Sequence, residues 1–437
     1  MKDSLGIYIS VPFCRAKCTY CNFASGVFGA ERMDAYVDRV CAEMRDARGW
    51  VAGFEARCGL GERAPIELPE QVDSVYLGGG TPSLLSGEQV RRLFGVVSEQ
   101  FAVSVAAEIT LECAPGQISE QTLEAMLRAG VDRVSFGVQS FVDAEAAAVG
   151  RLHTRAMCLD EIAQMRTAGI ENLNVDLICG LPRQTRESWR ESVDVAIASG
   201  VPHISVYMLE VDEDSRLGRE VLAAGKREQG TGSRLRYSAD AVPSDDAIAE
   251  WYAQGCEWLE AAGVRQYEIS NFARNGFESR HNMRYWKRGP YLGFGLDAHS
   301  MLRAGMGGVR WANEDDLDRY EVQGSGFEAG ARGEEQASGS PLKVLDLCAE
   351  QPRPEWIGRQ QAFEEAMFLG LRMNEGVDMD VLRAEFGSEL VMVATGAVEE
   401  IEEAGLLEHN GSRLRLTARG RMVSNEVFSR LLVGAAV

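Results

Sequence analysis

Cys14, Cys18 and Cys21 stand at the spacing C-x3-C-x2-C, directly after the alternating apolar residues Ile7, Ile9 and Val11. A strand that runs into a short loop with three thiols is first of all a metal site, and thiolates are the ligands of iron-sulfur clusters. A four-iron cluster gripped by three protein thiolates keeps one iron open to a substrate or cofactor. Structural zinc is the competing reading. It is normally closed by four ligands, yet no nearby Cys or His supplies the fourth, the next cysteine being Cys41 in a helix-like stretch.

Further along the chain, polar residues recur where strands end. Gly79, Gly80 and Thr81 follow the run 74–77, and Glu112, Gln139 and Asp176 fall at or just past the ends of later strands. In barrel-type α/β proteins that rim is where active sites assemble. One such residue reads as a helix cap, but capping does not explain the pattern repeated on successive units. The glycine triplet lacks the lysine of a phosphate loop and the G-x-G-x-x-G spacing. Beside a thiol loop, bare backbone that lets a ligand ammonium approach carbonyl oxygens is the better account.

The elements that must position these residues alternate. Strands are expected at 74–77, 107–112, 133–138, 172–178 and 203–209, and helices at 31–48, 120–129, 155–168 and 186–199. Strands each trailed by a helix argue for a parallel sheet with right-handed crossovers, either open or closed into a partial barrel. Pro243-Ser244-Asp245-Asp246 signals the start of a helix at 247–262.

Four regions follow: a core at 1–210; a core-completing region at 211–323; a flexible linker at 324–360; and a C-terminal domain at 361–437. In the last, helices at 362–371, 379–386 and 394–404 precede a hairpin around Asn410-Gly411, a pattern that resembles a winged helix. The stretches 49–70, 210–242 and 324–341 read as irregular excursions.

Composition limits the partners. Asp and Glu outnumber Lys and Arg by 66 to 45, a formal charge of -21, which argues against nucleic acid because phosphate binding needs clustered cations. No apolar run approaches the ~20 residues of a membrane span, so membrane association is expected only through partners. Ten cysteines without a disulfide-like framework fit a reducing cytoplasm.

With Tyr20 inside the thiol loop and GGGTPS following, the chain resembles a radical S-adenosylmethionine protein of the coproporphyrinogen III dehydrogenase-like family, and within it the HemW-type haem chaperones. The resemblance implies a partial (β/α)6 barrel and a 4Fe-4S cluster on Cys14, Cys18 and Cys21. It implies that Tyr8, Tyr20, Gly79, Gly80, Thr81, Glu112, Gln139, Arg151 and Asp176 contact S-adenosylmethionine. Two features separate the branches. The dehydrogenases carry a further cysteine two residues past the third ligand, where this chain has Phe23; the motif H-N-x-x-Y-W, here His281 to Trp286, is characteristic of the chaperones.

The resemblance makes His281 a haem ligand, and imidazole is an ordinary one. On the residues alone, a capping or core histidine is the alternative, with His299 the competing ligand and His153 a support for the cofactor rim. Ser279 stands where many relatives have a cysteine. The expected function is haem carriage to haem-accepting proteins. The alternative is a dehydrogenase that decarboxylates coproporphyrinogen III in porphyrin biosynthesis.

Overall fold

Six parallel strands lie side by side in chain order: β1 (Leu5–Val11), β2 (Gln71–Gly79), β3 (Ala102–Cys113), β4 (Arg133–Gln139), β5 (Asn172–Cys179) and β6 (His203–Met208). The computed structural model describes residues 4–58, 64–225, 242–323 and 354–432. Helices Glu31–Cys58, Gly87–Gln100, Glu120–Arg128, Arg155–Thr167 and Arg186–Ser199 connect the strands, and Asp245–Ala261 follows the sixth. Ser86, Ser119, Thr154, Thr185 and Ser244 each accept a backbone N–H at the start of a helix, satisfying donors that the first turn leaves free.

Period-two alternation sorts the strand residues. Ile7, Ile9, Val75, Leu77, Leu111, Val134, Phe136, Val175, Leu177, Ile204 and Val206 are buried in one apolar core with helical residues such as Val40, Leu93, Ile162 and Trp189. Each such side chain contributes about 1.5–3 kcal/mol by leaving water. The opposite face is polar: Ser10, Ser74, Glu108, Thr110, Arg133, Ser135, Asn174, His203 and Ser205 are all buried there. A sheet that is apolar under its helices and polar within is a curved half-barrel around a polar lumen.

The sheet continues past both ends. Antiparallel β8 (Asn271–Ala273) and β7 (Arg265–Glu268) extend it beyond β6; β9 (Tyr291–Phe294), parallel to β1, then β10 (His299–Ala304), β11 (Gly307–Ala312) and β12 (Glu355–Ile357) extend it beyond β1. A second core lies under helices Arg359–Leu371, Met379–Phe386 and Ser388–Glu403, with a small sheet of β13 (Val377–Asp378), β14 (Leu407–Asn410) and β15 (Arg413–Leu416). The partial barrel and the helical, small-sheet C-terminal domain agree with the fold class expected from the sequence.

Several elements differ from expectation. The first long helix runs on to Cys58 rather than ending at 48, and helix Gly87–Gln100 was not anticipated. The excursion after β6 contains helix Arg216–Gly225. Residues 324–353, and with them the excursion at 324–341, lie outside the described residues. Inside the expected linker, Glu355–Ile357 is a strand paired with β11. Among the described residues no helix is long and apolar enough to cross a membrane.

Candidate cofactor site and the barrel lumen

The three thiols leave the C-terminal end of β1, and neighbouring strand ends reach them. Thr81 Oγ1 donates to Cys14 Sγ at 3.7 Å, and Arg151 Nη1 donates to Cys18 Sγ at 3.4 Å. Cys21 Sγ lies 3.9 Å from Ser25 Oγ. Burial raises the Cys14 thiol above its ordinary range, with the Cys21 and Cys18 thiols adding to the rise. The loop is pinned at both sides, by Cys14 N–H to Gly26 O at 2.9 Å and Thr19 N–H to Val149 O at 3.0 Å. Tyr20 packs against Val149, Ile178 and Leu181.

The glycines supply close approach. Gly79 adopts φ +104, disfavoured for any residue with a Cβ. A Cβ on Gly80 would sit 2.8 Å from the carbonyl oxygens of Val11 and Phe13, so only bare backbone lets β2 lie this close to the thiol loop. Gly79 N–H donates to Glu112 at 3.2 Å, and Tyr76 donates to the other oxygen at 2.7 Å. Burial, with nearby Asp176 adding to it, outweighs those bonds and pushes the Glu112 carboxyl up to about 7.

Gln139, at φ +69, and Arg151 meet over Gly137: a Cβ there would lie 3.1 Å from Gln139 Nε2 and 3.2 Å from Arg151 Nη2. Asp176 accepts from Asn174 Nδ2 at 2.7 Å and from Ser135 Oγ at 3.4 Å. Burial raises its pKa. Tyr8 stacks on Tyr76 with ring centroids 6.1 Å apart. Cys14, Cys18, Gly79, Gly80, Thr81, Glu112, Gln139, Arg151 and Asp176 thus gather toward the C-terminal ends of the strands, with Tyr8 deeper inside.

His281 is not part of that group. It sits on helix Arg280–Trp286, 1% exposed, at the opposite end of the strands: its Nδ1 pairs with Ser74 Oγ at 3.0 Å, and Ser74 lies opposite Gly6 near the start of β1. Its Nε2 pairs with Tyr285 OH at 2.8 Å. Burial, then the nearby Arg284 and Arg133 charges, lower its pKa to about 3. As placed here both ring nitrogens are engaged, so ligation of an iron by either one would displace Ser74 or Tyr285.

Other parts of the motif have structural duties. Ser279 is 0% exposed and caps the helix by accepting from Asn282 N–H at 3.3 Å, a task for an oxygen. Arg284 reaches across β1 to Ser4 O at 2.6 Å and pairs with Asp73. Trp286 lies under the Arg372 guanidinium, 4.3 Å from the ring centroid, which ties the helix to the C-terminal domain. His153 is buried and bonded to Val138 O at 3.0 Å, whereas His299 is exposed beside Asp297.

Sequence reading missed the lumen itself. Ser135, Asn174 and Ser205 bond one another across β4, β5 and β6, and His203 joins Asn174 at 2.6 Å to Tyr267 at 2.9 Å. The signal was available as polar residues at 133, 135 and 139 with Gly137 between them, at 172, 174 and 176, and at 203, 205 and 207, every second position in strands whose other face is apolar.

Residues 8–196 match the Radical SAM superfamily, and residues 357–423 match the HemN C-terminal domain. The solved structure titled "Coproporphyrinogen III oxidase (HemN) from Escherichia coli is a Radical SAM enzyme" superposes with a TM-score of 0.75 over 99% of this chain and 90% of that one, at 20% identity. A likeness at that identity establishes the fold, while the two family matches identify a radical SAM core and a HemN-type C-terminal domain. That superfamily implies a 4Fe-4S cluster and S-adenosylmethionine, and the three thiols, the bare Gly79-Gly80 backbone and the inward carboxylates fit both.

At the level of whole chains the similarity is narrower. "Heme chaperone HemW" of Bacillus subtilis (strain 168) is 30% identical over 430 residues, 97% of this chain and 98% of that protein. The protein of the same name from Lactococcus lactis subsp. lactis (strain IL1403) is 29% identical over 98% of this chain and 97% of its own length. A mouse relative, "Radical S-adenosyl methionine domain-containing protein 1, mitochondrial", is 31% identical over 98% of this chain and 87% of its own. The chain belongs to the HemW haem chaperone family.

Proposed function

We propose that this protein is a cytoplasmic haem chaperone that binds haem and passes it to haem-requiring respiratory proteins, while carrying a 4Fe-4S cluster and S-adenosylmethionine. The observation that carries the reading is the end-to-end similarity to proteins named as haem chaperones. Phe23, in place of a further cysteine beside the thiol loop, supports it. The division expected from the sequence serves as the working plan: a core at 1–210 completed by 211–323, a linker at 324–360, and a C-terminal domain at 361–437.

Cys14, Cys18 and Cys21 hold the cluster in this reading. Tyr8, Tyr20, Gly79, Gly80, Thr81, Glu112, Gln139, Arg151 and Asp176 hold S-adenosylmethionine. When bound, the pair supplies an iron open to the cofactor's amino and carboxylate groups. The chain's own residues do the rest. Thr81 and Arg151 donate to the Cys14 and Cys18 sulfurs; Gly79 and Gly80 bring the backbone close; Glu112 and Asp176 present acceptors within the lumen.

Haem ligation by His281 Nε2 requires Tyr285 to give up its bond, and because the ring is buried, haem entry goes with a shift of helix Arg280–Trp286 off the barrel floor. The deciding experiment is anaerobic. Reconstituted protein is titrated with haem, then offered an apo haem protein, and in parallel assayed with coproporphyrinogen III. Haem binding weakened by His281→Ala, transfer to the acceptor and no porphyrinogen conversion are expected. Substantial protoporphyrinogen production would overturn the reading.

A further inference from the structure

Arg133 opens β4 with its side chain in the lumen and is 1% exposed, yet its Nε has no hydrogen-bond partner. Opposite it in the β3/β4 register stands Thr110, 0% exposed, whose Oγ1 is also unpartnered. Buried polar atoms without partners are uncommon and call for an explanation.

Three carboxylates share the space with that guanidinium, and each has its hydrogen bonds elsewhere. Glu108 accepts from the backbone N–H groups of Arg280 at 2.9 Å and His281 at 3.3 Å. Glu112 is held by Tyr76 and Gly79, and Asp176 by Asn174 and Ser135. Burial opposes the charge of Arg133, but Glu108, Tyr76, Tyr267 and Asp176 together overcome it and raise its pKa.

The other titratable groups facing Glu112 and Arg133 are Tyr8 on β1, Tyr76 on β2, His203 and Tyr207 on β6, Tyr267 on β7, and His281 and Tyr285 on the floor helix. Burial keeps these tyrosines protonated and both histidines neutral. Among these groups Arg133 alone is cationic at neutral pH, facing three acids.

We infer that Arg133 is a positioning residue for the cofactor: it is the shared counter-ion of Glu108, Glu112 and Asp176, and favours the anionic form of the latter two, the form that accepts from S-adenosylmethionine. A cation bound to no single carboxylate acts on all of them through the low-dielectric lumen. The inference rests on the assignment of Glu112 and Asp176 to S-adenosylmethionine under Proposed function, and its first test needs no cofactor.

In cluster-free protein labelled with 13C at glutamate carboxyls, the resonance absent from Glu112→Gln reports Glu112. Arg133→Met is expected to raise its titration midpoint by at least about one pH unit, and Arg133→Lys to keep it near the wild-type value. Glu108→Gln, which relieves the competition for the cation, is expected to lower it. In reconstituted protein, Arg133→Met should weaken S-adenosylmethionine binding roughly tenfold at pH 7.5 and recover toward higher pH.

Midpoints unchanged in both Arg133→Met and Glu108→Gln sink the inference. So does a loss of affinity that is the same at every pH, the mark of a packing role. Should Arg133→Met not fold, the direction of the Glu108→Gln shift decides alone. A wild-type protein that binds no S-adenosylmethionine would instead sink the functional reading, whatever the midpoints do.

Discussion

The imidazole of His281 stacks on the phenol of Tyr76 with ring centroids 5.3 Å apart, and the hydroxyl of that same phenol donates to Glu112 at 2.7 Å. One side chain therefore joins the floor helix, which carries the haem-associated motif, to a carboxylate at the mouth. A shift of the helix that releases His281 also removes the support beneath Tyr76. Glu108 strengthens the connection, since it binds the first two backbone N–H groups of that helix from inside the barrel.

Opening at the floor can be measured through Tyr285, whose hydroxyl occupies Nε2 of His281. Tyr285→Phe frees that nitrogen while keeping the ring, so haem uptake in stopped flow is expected to accelerate about tenfold, the effect of roughly 1.4 kcal/mol for one hydrogen bond to a buried group. His281→Ala leaves Ser74 and Tyr285 without their partner and opens a cavity beside Tyr76. Denaturant unfolding should then show a loss of about 2–4 kcal/mol. Equal uptake rates in wild type and Tyr285→Phe would remove His281 from the binding step.

The thiol loop gives a separate prediction. Cys14, Cys18 and Cys21 are half-buried on a loop held by backbone bonds at its edges. Serine at any one position should cut anaerobically bound iron from about four atoms per chain toward none, with the far-UV circular dichroism unchanged. Serine substitution of Cys41, buried in the outer core, should do the reverse, lowering stability and leaving iron content intact. Iron and sulfide analysis beside thermal unfolding separates the two classes.

Much of the barrel was legible because its outer face obeys simple rules. Strands at 133–138 and 172–178 fall within a residue of β4 and β5, since Val134, Phe136, Val175 and Leu177 alternate cleanly and the helices that follow begin at Thr154 and Thr185 caps. Helix Gly87–Gln100 differs from the sequence expectation, although Ser86 and Gln89 form a capping box and Val90, Leu93, Phe94 and Val97 lie on its buried face. Gly79, Gly80, Thr81, Glu112, Gln139 and Asp176 were legible as polar or glycine residues at strand ends, whereas Arg151 came only with the resemblance. His281 stands out in the sequence through its motif, but its burial behind Ser74 and Tyr285 is a tertiary fact that no local pattern carries.

Close approach at the glycine turn separates steric from conformational effects. Gly80→Ala would press a methyl group against the Val11 and Phe13 carbonyls, and is expected to cost about 1–3 kcal/mol and to lower cluster occupancy by shifting the thiol loop. Gly95, exposed in the middle of a helix, has nothing within 4 Å of an added Cβ. Gly95→Ala should stabilise by up to about 1 kcal/mol through helix propensity and leave iron content unchanged. A Gly80→Ala protein with full iron content would show that the loop does not depend on that contact.

Glu112 sets a pH dependence whose sign can be isolated. Its carboxyl, pushed up to about 7 by burial first and by Asp176 next, stays protonated in the folded state at pH values where the unfolded chain has already ionised. The folded state binds the extra proton, so this group's contribution is complete below the ordinary carboxylate pKa and is lost as pH rises through about 7. The loss is at most about 3 kcal/mol, the linkage value of the shift. His281 and His153, lowered to about 3 and about 4, act oppositely, because the unfolded chain takes up protons there as pH falls below ~6.5. Total stability therefore mixes both trends, and the difference between wild type and Glu112→Gln removes the histidines. Chemical denaturation of the cofactor-free protein at pH 5 and pH 8 should find Glu112→Gln gaining on wild type by about 1–3 kcal/mol at the higher pH. A difference that does not change with pH would mean that Glu112 ionises in the lumen as readily as in water.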